Sequence, residues 1–522
     1  MATEPGRPAT SRLEAAAVTS VTAAFGVLLV VWALITPMFQ APDEVVHVDA
    51  AVTLTTTGEW APAGEALFLQ ASQAARDSLG TVPRDARPSW GDLLAAHPGT
   101  TADVNQMTQH PPTYYALAGA VLDAVDFTHH RWDLGVLALR LLSVALVAPL
   151  PLLTWATVRR LTRSPRTAIV AATTLLAVPQ LAQIGSSVTS DAPIILLGAV
   201  TVWLTTRTLT GDQTWRTHLA LGTALGLALA TKGTAFPAIP FVALAVLLGD
   251  TTHPLARRAL RTLAVGATTA ALGAWWWIHN LTTTGTLQPN GLPRSSTPNP
   301  WPAGEGPDLG FFLDTEWSRL SSSFWGQFGR LEYPMTPILT DVLTVGCLAL
   351  VAGWAFRGRR SAARSWLLAS FPLITLLVLL HNNFDSYDRT QEVSGAQGRY
   401  LFGSLVALAT LLAVAGLRLV THEEARRRVG RSMVVAAPLV GAYGASVAYR
   451  GFFEQSDLEV TRPGLANLLV TTPVGGPALL AAMVVLALVA ASAGVATWRL
   501  VGRAGPPVPA PVAATPETAA AP

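Results

Sequence analysis

The first residues of this sequence that suggest chemistry are two adjacent acids and a histidine, which follow its first long apolar stretch. They are Asp43, Glu44 and His47, directly after Pro42. If the chain becomes helical after Pro42, the acids lie four and three residues before His47 and share a helix face with it. This pattern suits a general base oriented by a neighbour. It equally suits an ordinary helix start, which proline and acids favour, and a metal site formed by the three side chains is a third interpretation.

A second group lies at 110–115, in the run His-Pro-Pro-Thr-Tyr-Tyr. His110 suits either a contact with a phosphate or the capping of a turn. Tyr114 and Tyr115 suit either a binding site or anchoring at a membrane interface, where amphipathic rings are enriched. The apolar run at 116–125 is too short to span a membrane and predicts an interfacial helix.

Three charged residues lie at the ends of later apolar stretches. Asp191 follows Ser190 at a helix start, where an N-cap is the simpler interpretation. Lys232 is the only lysine in the chain, and it suits either snorkelling to lipid headgroups or binding of an anion in a site. Arg399 suits bidentate recognition of a phosphate or a position at the interface.

The elements that must position these residues are membrane helices. Only 13% of the 522 residues are charged and 51% are hydrophobic, whereas a soluble domain has about 25% charged residues. The apolar residues form blocks of about 18–25, the length that crosses a bilayer. The sequence therefore predicts an all-α polytopic membrane protein with about twelve transmembrane helices, at 16–38, 135–158, 167–184, 191–209, 218–232, 234–249, 259–280, 338–356, 365–381, 399–418, 432–449 and 476–498.

The distribution of arginine predicts which side of the membrane each loop occupies. Most of the 35 basic residues lie in the shorter loops on one side, and the positive-inside rule makes that side cytoplasmic. Both termini are then cytoplasmic in the plasma membrane, and all the candidate residues are extracytoplasmic. The segment 219–249 is either one broken helix, which gives eleven spans, or two short helices that meet at Lys232. The charge bias favours two.

The predicted domain organisation is simple. Residues 1–500 form one transmembrane domain with large outer loops at 39–134 and 281–337. The aromatic-rich segment 311–328 is expected to be an interfacial helix, with an aromatic ligand cage as the alternative. Residues 501–522 are rich in Pro and Ala and are predicted to be a disordered cytoplasmic tail. The single cysteine, Cys347, rules out an intrachain disulfide and cysteine-based metal chemistry.

Six motifs occur in an order that resembles a known family. They are PDEVVH, HPPTYYAL, SVTSDAP, GLALATKG, SFWGQFG and QGRYLF, at 42–47, 110–117, 187–193, 226–233, 323–329 and 397–402. Across most of residues 16–420, the chain resembles a family of multi-pass bacterial membrane proteins classed as a domain of unknown function. That family is similar to the GT-C glycosyltransferases, notably the protein O-mannosyltransferases and the lipid A aminoarabinose transferase.

The resemblance implies a GT-C-like fold that transfers a sugar from a polyprenyl-phosphate carrier to a glycan, lipid or protein acceptor on the outer face. Asp43 and Glu44 match the acidic motif that acts as base or orienter. The expected partners are the lipid-linked donor, the acceptor and membrane lipids, with no nucleic acid. No cofactor is assigned, and a divalent metal is left open. The residues expected to bind substrate are His47, His110, Tyr114, Asp191, Lys232 and Arg399.

One departure from the pattern concerns a phosphate contact, because His110 stands where the relatives often have lysine. The chemistry needs one carboxylate base for the acceptor and cations for the departing phosphate, since phosphate is already a good leaving group. A lipid-linked glycan flippase is the alternative, and it predicts ionisable residues near the bilayer midplane. A non-catalytic scaffold for envelope assembly is a third interpretation, which predicts that the candidate residues are scattered by more than about 15 Å.

Overall fold

A computed structural model describes residues 10–249, 252–292, 298–357, 363–456 and 458–503. Helices dominate these residues, accompanied by two short antiparallel strand pairs. Each of the twelve predicted apolar segments contains a helix, and the prediction of an all-α membrane protein is confirmed. Residues 504–522, which make up most of the predicted tail, lie outside the described residues.

The strands are β1 Leu67–Leu69, β2 Thr100–Val104, β3 Gln327–Phe328 and β4 Tyr333–Pro334. The helices are α1 Arg12–Ile35, α2 Glu44–Thr57, α3 Gln70–Asp77, α4 Trp90–Ala96, α5 Thr113–Ala124, α6 Trp132–Val147, α7 Leu150–Thr162, α8 Pro165–Thr174, α9 Pro179–Gly185, α10 Asp191–Leu209, α11 Trp215–Leu229, α12 Ala238–Leu248, α13 Leu255–Thr284, α14 Leu309–Trp325, α15 Pro337–Arg357, α16 Ala363–Leu367, α17 Ser370–Thr390, α18 Leu405–Leu419, α19 Glu423–Phe453, α20 Arg462–Thr471 and α21 Gly476–Gly502.

The predicted number of twelve spans is not confirmed. Among the described residues, eight helical stretches are long and apolar enough to cross a membrane, or nine if α8 and α9 count as one bent span. Helices α11 and α12 have only 15 and 11 residues, which is shorter than a bilayer requires. The predicted single helix 167–184 is bent by 75° between α8 and α9, because Pro179 cannot donate the hydrogen bond that would continue the helix.

The predicted turn at Lys232 is present. Arg258, near the start of α13, donates to the Leu247 carbonyl at the end of α12 (2.7 Å). Arg261 donates to the Gln213 carbonyl just before α11 (2.9 Å). The beginning of α11 and the end of α12 therefore lie at the same end of the bundle, and the two helices form a hairpin with Lys232 at its far end.

The first large loop folds as a compact layer around an apolar core that also includes Val136 and Leu139 of α6. Helix α2 packs on α5, whose predicted position at 116–125 is close to the observed Thr113–Ala124. Asp49 of α2 accepts hydrogen bonds from Asn105 (2.7 Å) and from the Leu69 amide (3.0 Å), and so ties this helix to β1 and to the segment after β2. The loop is thus a built platform at one end of the bundle.

The other large loop contributes α14, which corresponds to the aromatic helix predicted at 311–328. Helix α14 packs closely against the backbone of Gly398, in the segment before α18. The Gly398 amide donates to Ser323 Oγ of α14 (2.8 Å). A Cβ atom on Gly398 would lie 2.5 Å from the Phe324 nitrogen and 2.6 Å from the Leu320 oxygen. Only glycine permits this contact, which fixes the position of the next residue, Arg399.

The opposite end of the bundle is rich in arginine. Arg159 at the end of α7 donates to Glu14 of α1 (2.7 Å). Arg166 of α8 donates to Glu423 of α19 (2.8 Å) and to the Val501 carbonyl of α21 (2.9 Å). The first and last described helices therefore begin and end at the same face, and the assignment of that face to the cytoplasm stays a prediction from charge.

Candidate functional site

Four of the candidate charged residues converge at the end of the bundle that carries the folded loop. Arg399 Nη2 donates to Asp43 Oδ2 at 2.5 Å. Lys232 Nζ donates to Asp191 Oδ1 at 2.5 Å, and Asp191 Oδ2 lies 3.7 Å from Arg399 Nε. Segments separated by up to 356 residues thus form one chain of alternating charges.

Asp43 has a strained backbone and a carboxylate that is free of helix capping. Its φ of 59° and ψ of 8° place it in the left-handed region, which is uncommon for residues other than glycine and is often found at functional sites. Helix α2 does begin at the next residue, but the Asp43 side chain makes no capping hydrogen bond. The simple helix-start interpretation accounts for the helix but not for the direction of this carboxylate.

The Asp43 carboxyl is ionised in this setting. Burial raises its pKa, but the charge and the hydrogen bond of Arg399 outweigh burial, so that the pKa lies below its usual range. The side chain remains 36% exposed. Asp43 is therefore an accessible carboxylate acceptor held in place by a guanidinium group.

The two cations share one aromatic ring. The Tyr400 ring lies 5.7 Å from Lys232 Nζ and 5.5 Å from Arg399 Cζ, within the range of cation–π attraction. The side chains of Lys232 and Arg399 are only 9% and 3% exposed. Buried cations held this way are oriented, which suits binding of an anion.

Several polar atoms of this cluster are buried and have no hydrogen-bond partner among the residues that the structure describes. They are Asp191 Oδ2, both Nε and Nη1 of Arg399, and Nδ1 of His110. Buried polar groups are nearly always paired, and each exception calls for an explanation. Their concentration at one place indicates a site for a polar ligand.

Glu44 points away from Asp43 and belongs to a separate, fully buried ion pair. Its Oε1 accepts from Arg140 Nε and its Oε2 from Arg140 Nη2, both at 2.7 Å, and both side chains are 0% exposed. The same carboxylate accepts from the amides of Phe39 (2.9 Å) and Val188 (3.1 Å). Every face of this carboxylate is thus occupied by protein.

The Glu44–Arg140 pair fixes the corner between α1 and α2. Arg140 also donates to the carbonyls of Ala33, Thr36 and Pro37 at the end of α1, at 2.6–3.0 Å. These bonds satisfy carbonyls that a helix end leaves unpaired. The pair therefore positions Asp43, the residue next to Glu44.

His47 and Tyr114 belong to a buried aromatic group beside the charges. His47 Nδ1 lies 2.9 Å from Tyr115 Oη, and the two rings stack at 5.9 Å. Tyr114 meets His47 edge to face at 6.4 Å, and Trp60 lies on Tyr115 at 4.8 Å. Tyr114 and Tyr115 are 2% and 0% exposed, so neither serves as an anchor at a lipid interface.

Both histidines near the charges are neutral. Burial, assisted by the charge of Lys232, lowers the pKa of His47 to about 3. The same two causes, in the same order, lower the pKa of His110 well below its usual value. A neutral imidazole can both donate and accept hydrogen bonds, and it adds no charge to the two cations and two carboxylates.

The described part of the chain contains no set of ligands arranged for the divalent metal that the sequence analysis left open. No group of three or more His, Cys, Asp and Glu side chains is arranged there to hold an ion. Asp43 and Asp191 are each engaged by a cation instead. We therefore derive no step through a metal.

Residue types alone did not single out two contributors to this site. Arg140, buried in α6, pairs with Glu44, and only its position in an apolar stretch was a signal, since membrane helices rarely carry an unpaired charge. Tyr400 adjoins the predicted site residue Arg399, and this adjacency was the only hint. The structure brings all the predicted site residues to this end of the bundle, with Glu44 in its own ion pair.

A model of one protein family matches residues 25–409, and its description is predicted membrane protein (DUF2142). The chain belongs to this family. DUF2142 is a membrane protein family, in agreement with the helices capable of spanning a bilayer. A comparison with curated protein sequences gives no significant match.

Solved structures similar to this DUF2142 protein are membrane glycosyltransferases. ArnT from Cupriavidus metallidurans in the apo state is 16% identical with a TM-score of 0.46, and the match covers 92% of this chain and 76% of that one. The same protein bound to undecaprenyl phosphate gives a TM-score of 0.44 with 92% and 75% covered. The oligosaccharyltransferase of Archaeoglobus fulgidus in the apo form is 12% identical with a TM-score of 0.43, covering 88% and 60%. Such values report similarity and assign no activity.

Proposed function

We propose that this protein is a membrane glycosyltransferase that moves a sugar from a polyprenyl-phosphate carrier to an acceptor hydroxyl on the outer face of the plasma membrane. The observation that carries the proposal is the convergence of an accessible, ionised Asp43 with two buried cations, Lys232 and Arg399. Base and cations are the two groups that this transfer requires. The acceptor is a glycan, a lipid or a protein.

Asp43 is the proposed base. Its carboxylate accepts the proton of the acceptor hydroxyl while the hydroxyl oxygen attacks the anomeric carbon of the donor sugar. The bond between that carbon and the phosphate oxygen breaks, and its electron pair stays on the phosphate. Because the attack is in line with the leaving group, the anomeric centre inverts. Arg399 holds the carboxylate in position before the attack.

The cations are the proposed binders of the leaving phosphate. Among the described residues, Arg399 Nη1 and Nε are buried donors without a hydrogen-bond partner, and Lys232 lies on the same tyrosine ring. Asp191 orients Lys232 and receives no proton in this scheme. Preorganised donors of this kind stabilise the charge that develops on the phosphate. His47, His110 and Tyr114 are the proposed lining of the sugar or acceptor pocket.

Glu44 takes a positioning role in this proposal rather than the catalytic role expected from the motif. Its two carboxylate oxygens each accept two hydrogen bonds from protein donors, so it supplies no free acceptor for a substrate proton. Its contribution is to hold the α1–α2 corner that orients Asp43.

The test uses purified protein in nanodiscs with a radiolabelled sugar on undecaprenyl phosphate, the carrier held by one of the similar structures. Release of undecaprenyl phosphate is measured in the presence of a membrane extract that supplies acceptors. Asp43→Asn keeps the shape and suits a left-handed backbone, and it should reduce release by about 10²–10⁴-fold, the contribution of a general base. Asp103→Asn, an exposed acid of the same loop, is the matched control and should be unchanged.

Full release by Asp43→Asn would contradict the assignment of the base, and no release by the wild type with any acceptor extract would contradict the transferase. Convergence within hydrogen-bond distance argues against the scaffold, which predicts scattered residues. Transbilayer movement of the labelled lipid without release of its phosphate would instead support the flippase.

A further inference from the structure

A groove runs between α19 and α21 near the arginine-rich end of the bundle, on the side opposite to the proposed active site. Its volume is about 510 Å³, and its walls include Val435, Pro438, Leu439, Val495 and Trp498. Leu439 and Val495 are 64% and 52% exposed. In a membrane protein, such an open apolar surface faces acyl chains.

Two local features of the sequence create the groove. Pro438 lies inside α19, where proline removes a hydrogen bond and bends a helix. Gly494 on α21 has open space where a side chain would be, with no atom within 4 Å of an added Cβ. The groove is therefore a depression built by the two helices rather than a gap filled by neighbouring side chains.

Cations close one end of this groove. Arg499 lines it, and the Arg431 guanidinium lies 4.7 Å over the Trp498 ring. Arg431 Nε is buried, and none of the described residues is its hydrogen-bond partner. In the described part of the chain, neither arginine has a carboxylate partner, whereas Arg427 and Arg428 on the same helix pair with glutamates at 3.5 and 3.2 Å.

We propose that this groove binds an anionic phospholipid, with its phosphate between Arg431 and Arg499 and an acyl chain along the apolar walls. Charge complementarity selects an anion, because the two uncompensated arginines lie at the headgroup end. The continuous apolar wall selects a lipid over a soluble phosphate. Basic pockets between membrane helices are known binders of anionic headgroups. The proposal does not depend on the glycosyltransferase assignment.

The test is native mass spectrometry of the full chain with phosphatidylglycerol, compared with phosphatidylcholine of the same acyl chains. Each arginine near the membrane surface contributes about 1 kcal/mol, which is about a fivefold change in affinity. The double variant Arg431→Gln, Arg499→Gln should therefore bind phosphatidylglycerol roughly thirtyfold more weakly. Arg428→Gln, exposed and already paired, is the matched control and should bind like the wild type.

A second pair of variants tests the apolar walls. Gly494→Leu fills the groove without touching the arginines and should weaken the binding of phosphatidylglycerol. Gly266→Leu is its control, because this glycine of α13 also faces open space. Equal binding of the two lipids, an equal loss in Arg428→Gln, no effect of Gly494→Leu, or equally tight binding of soluble glycerol phosphate would each overturn the proposal.

Discussion

Removal of the Glu44 charge separates a positioning role from a catalytic one. In Glu44→Gln, one of the two oxygens becomes an NH₂ group. In the wild type, each carboxylate oxygen of Glu44 accepts one hydrogen bond from Arg140 and one from a backbone amide, that of Val188 or of Phe39. Whichever oxygen is replaced, the new NH₂ group faces an Arg140 nitrogen and a backbone amide, which are both donors. Arg140 also becomes a buried charge without a counterion.

The expected loss of stability is large. Both side chains are 0% exposed, and removal of one partner of a buried ion pair costs about 3–5 kcal/mol. Asp43→Asn should cost less, because Asp43 is 36% exposed and the buried Arg399 keeps the Asp191 carboxylate 3.7 Å away as a counterion. Glu44→Gln is therefore expected to lower mainly the stability of the protein, and Asp43→Asn mainly its activity.

The assay is denaturant unfolding in mixed micelles, run beside the sugar-release assay on the same preparations. Glu44→Gln should lower the free energy of unfolding by about 3–5 kcal/mol, and Glu65→Gln, an exposed acid of the same loop, should stay within about 0.5 kcal/mol of the wild type. The double variant Glu44→Gln, Arg140→Met should lose less than the sum of its single variants, since it leaves no charge unpaired.

Two results would refute this reasoning. Additive losses in the double-mutant cycle would mean that the pair is not coupled. A Glu44→Gln protein with wild-type stability and no sugar release would return Glu44 to direct chemistry.

Three further predictions concern packing, pH and sidedness. Gly398→Ala should destabilise the protein by about 1–3 kcal/mol, because its Cβ would meet backbone atoms at 2.5 and 2.6 Å, whereas Gly416→Ala, with open space around it, should be neutral in the same unfolding assay. The pKa of His47 is about 3 when folded and 6.5 when unfolded. The unfolded state therefore binds more protons between these two pH values, and stability should fall as the pH decreases from 6.5. His47→Gln should flatten the dependence of the thermal unfolding temperature on pH in this window, and an unchanged dependence would contradict a neutral, buried His47. In a Cys347→Ala background, the thiol of Glu65→Cys should react with an impermeant maleimide outside intact cells, and that of Arg428→Cys should not. The reverse pattern of labelling would invert the topology.

Local features of the fold were predictable from the sequence. The predicted helix at 191–209 coincides with α10. The predicted turn at Lys232 is also present, while the prediction that both helices beside it cross the membrane is not confirmed. Such features depend on block length and on charge near the membrane, which are properties of short segments. The 75° bend after α8 was missed, because Pro179 was read as part of a continuous apolar run.

The candidate site was predictable only as a set of residue types at helix ends. Nothing in the order of residues showed that Lys232 would pair with Asp191, 41 positions away, or that Arg399 would meet Asp43. Pairing across such distances depends on how helices pack side by side, which a single segment does not encode.

The neighbours Asp43 and Glu44 show most clearly what the sequence determines and what the tertiary structure determines. The sequence by itself determined that two acids directly follow the first membrane helix. The tertiary structure decided that one faces Arg399 and stays accessible, while the other is sealed against Arg140. The physical reason is the backbone: the left-handed turn at Asp43 directs its side chain away from the helix that begins at Glu44, and packing of α6 against α1 supplies the buried guanidinium.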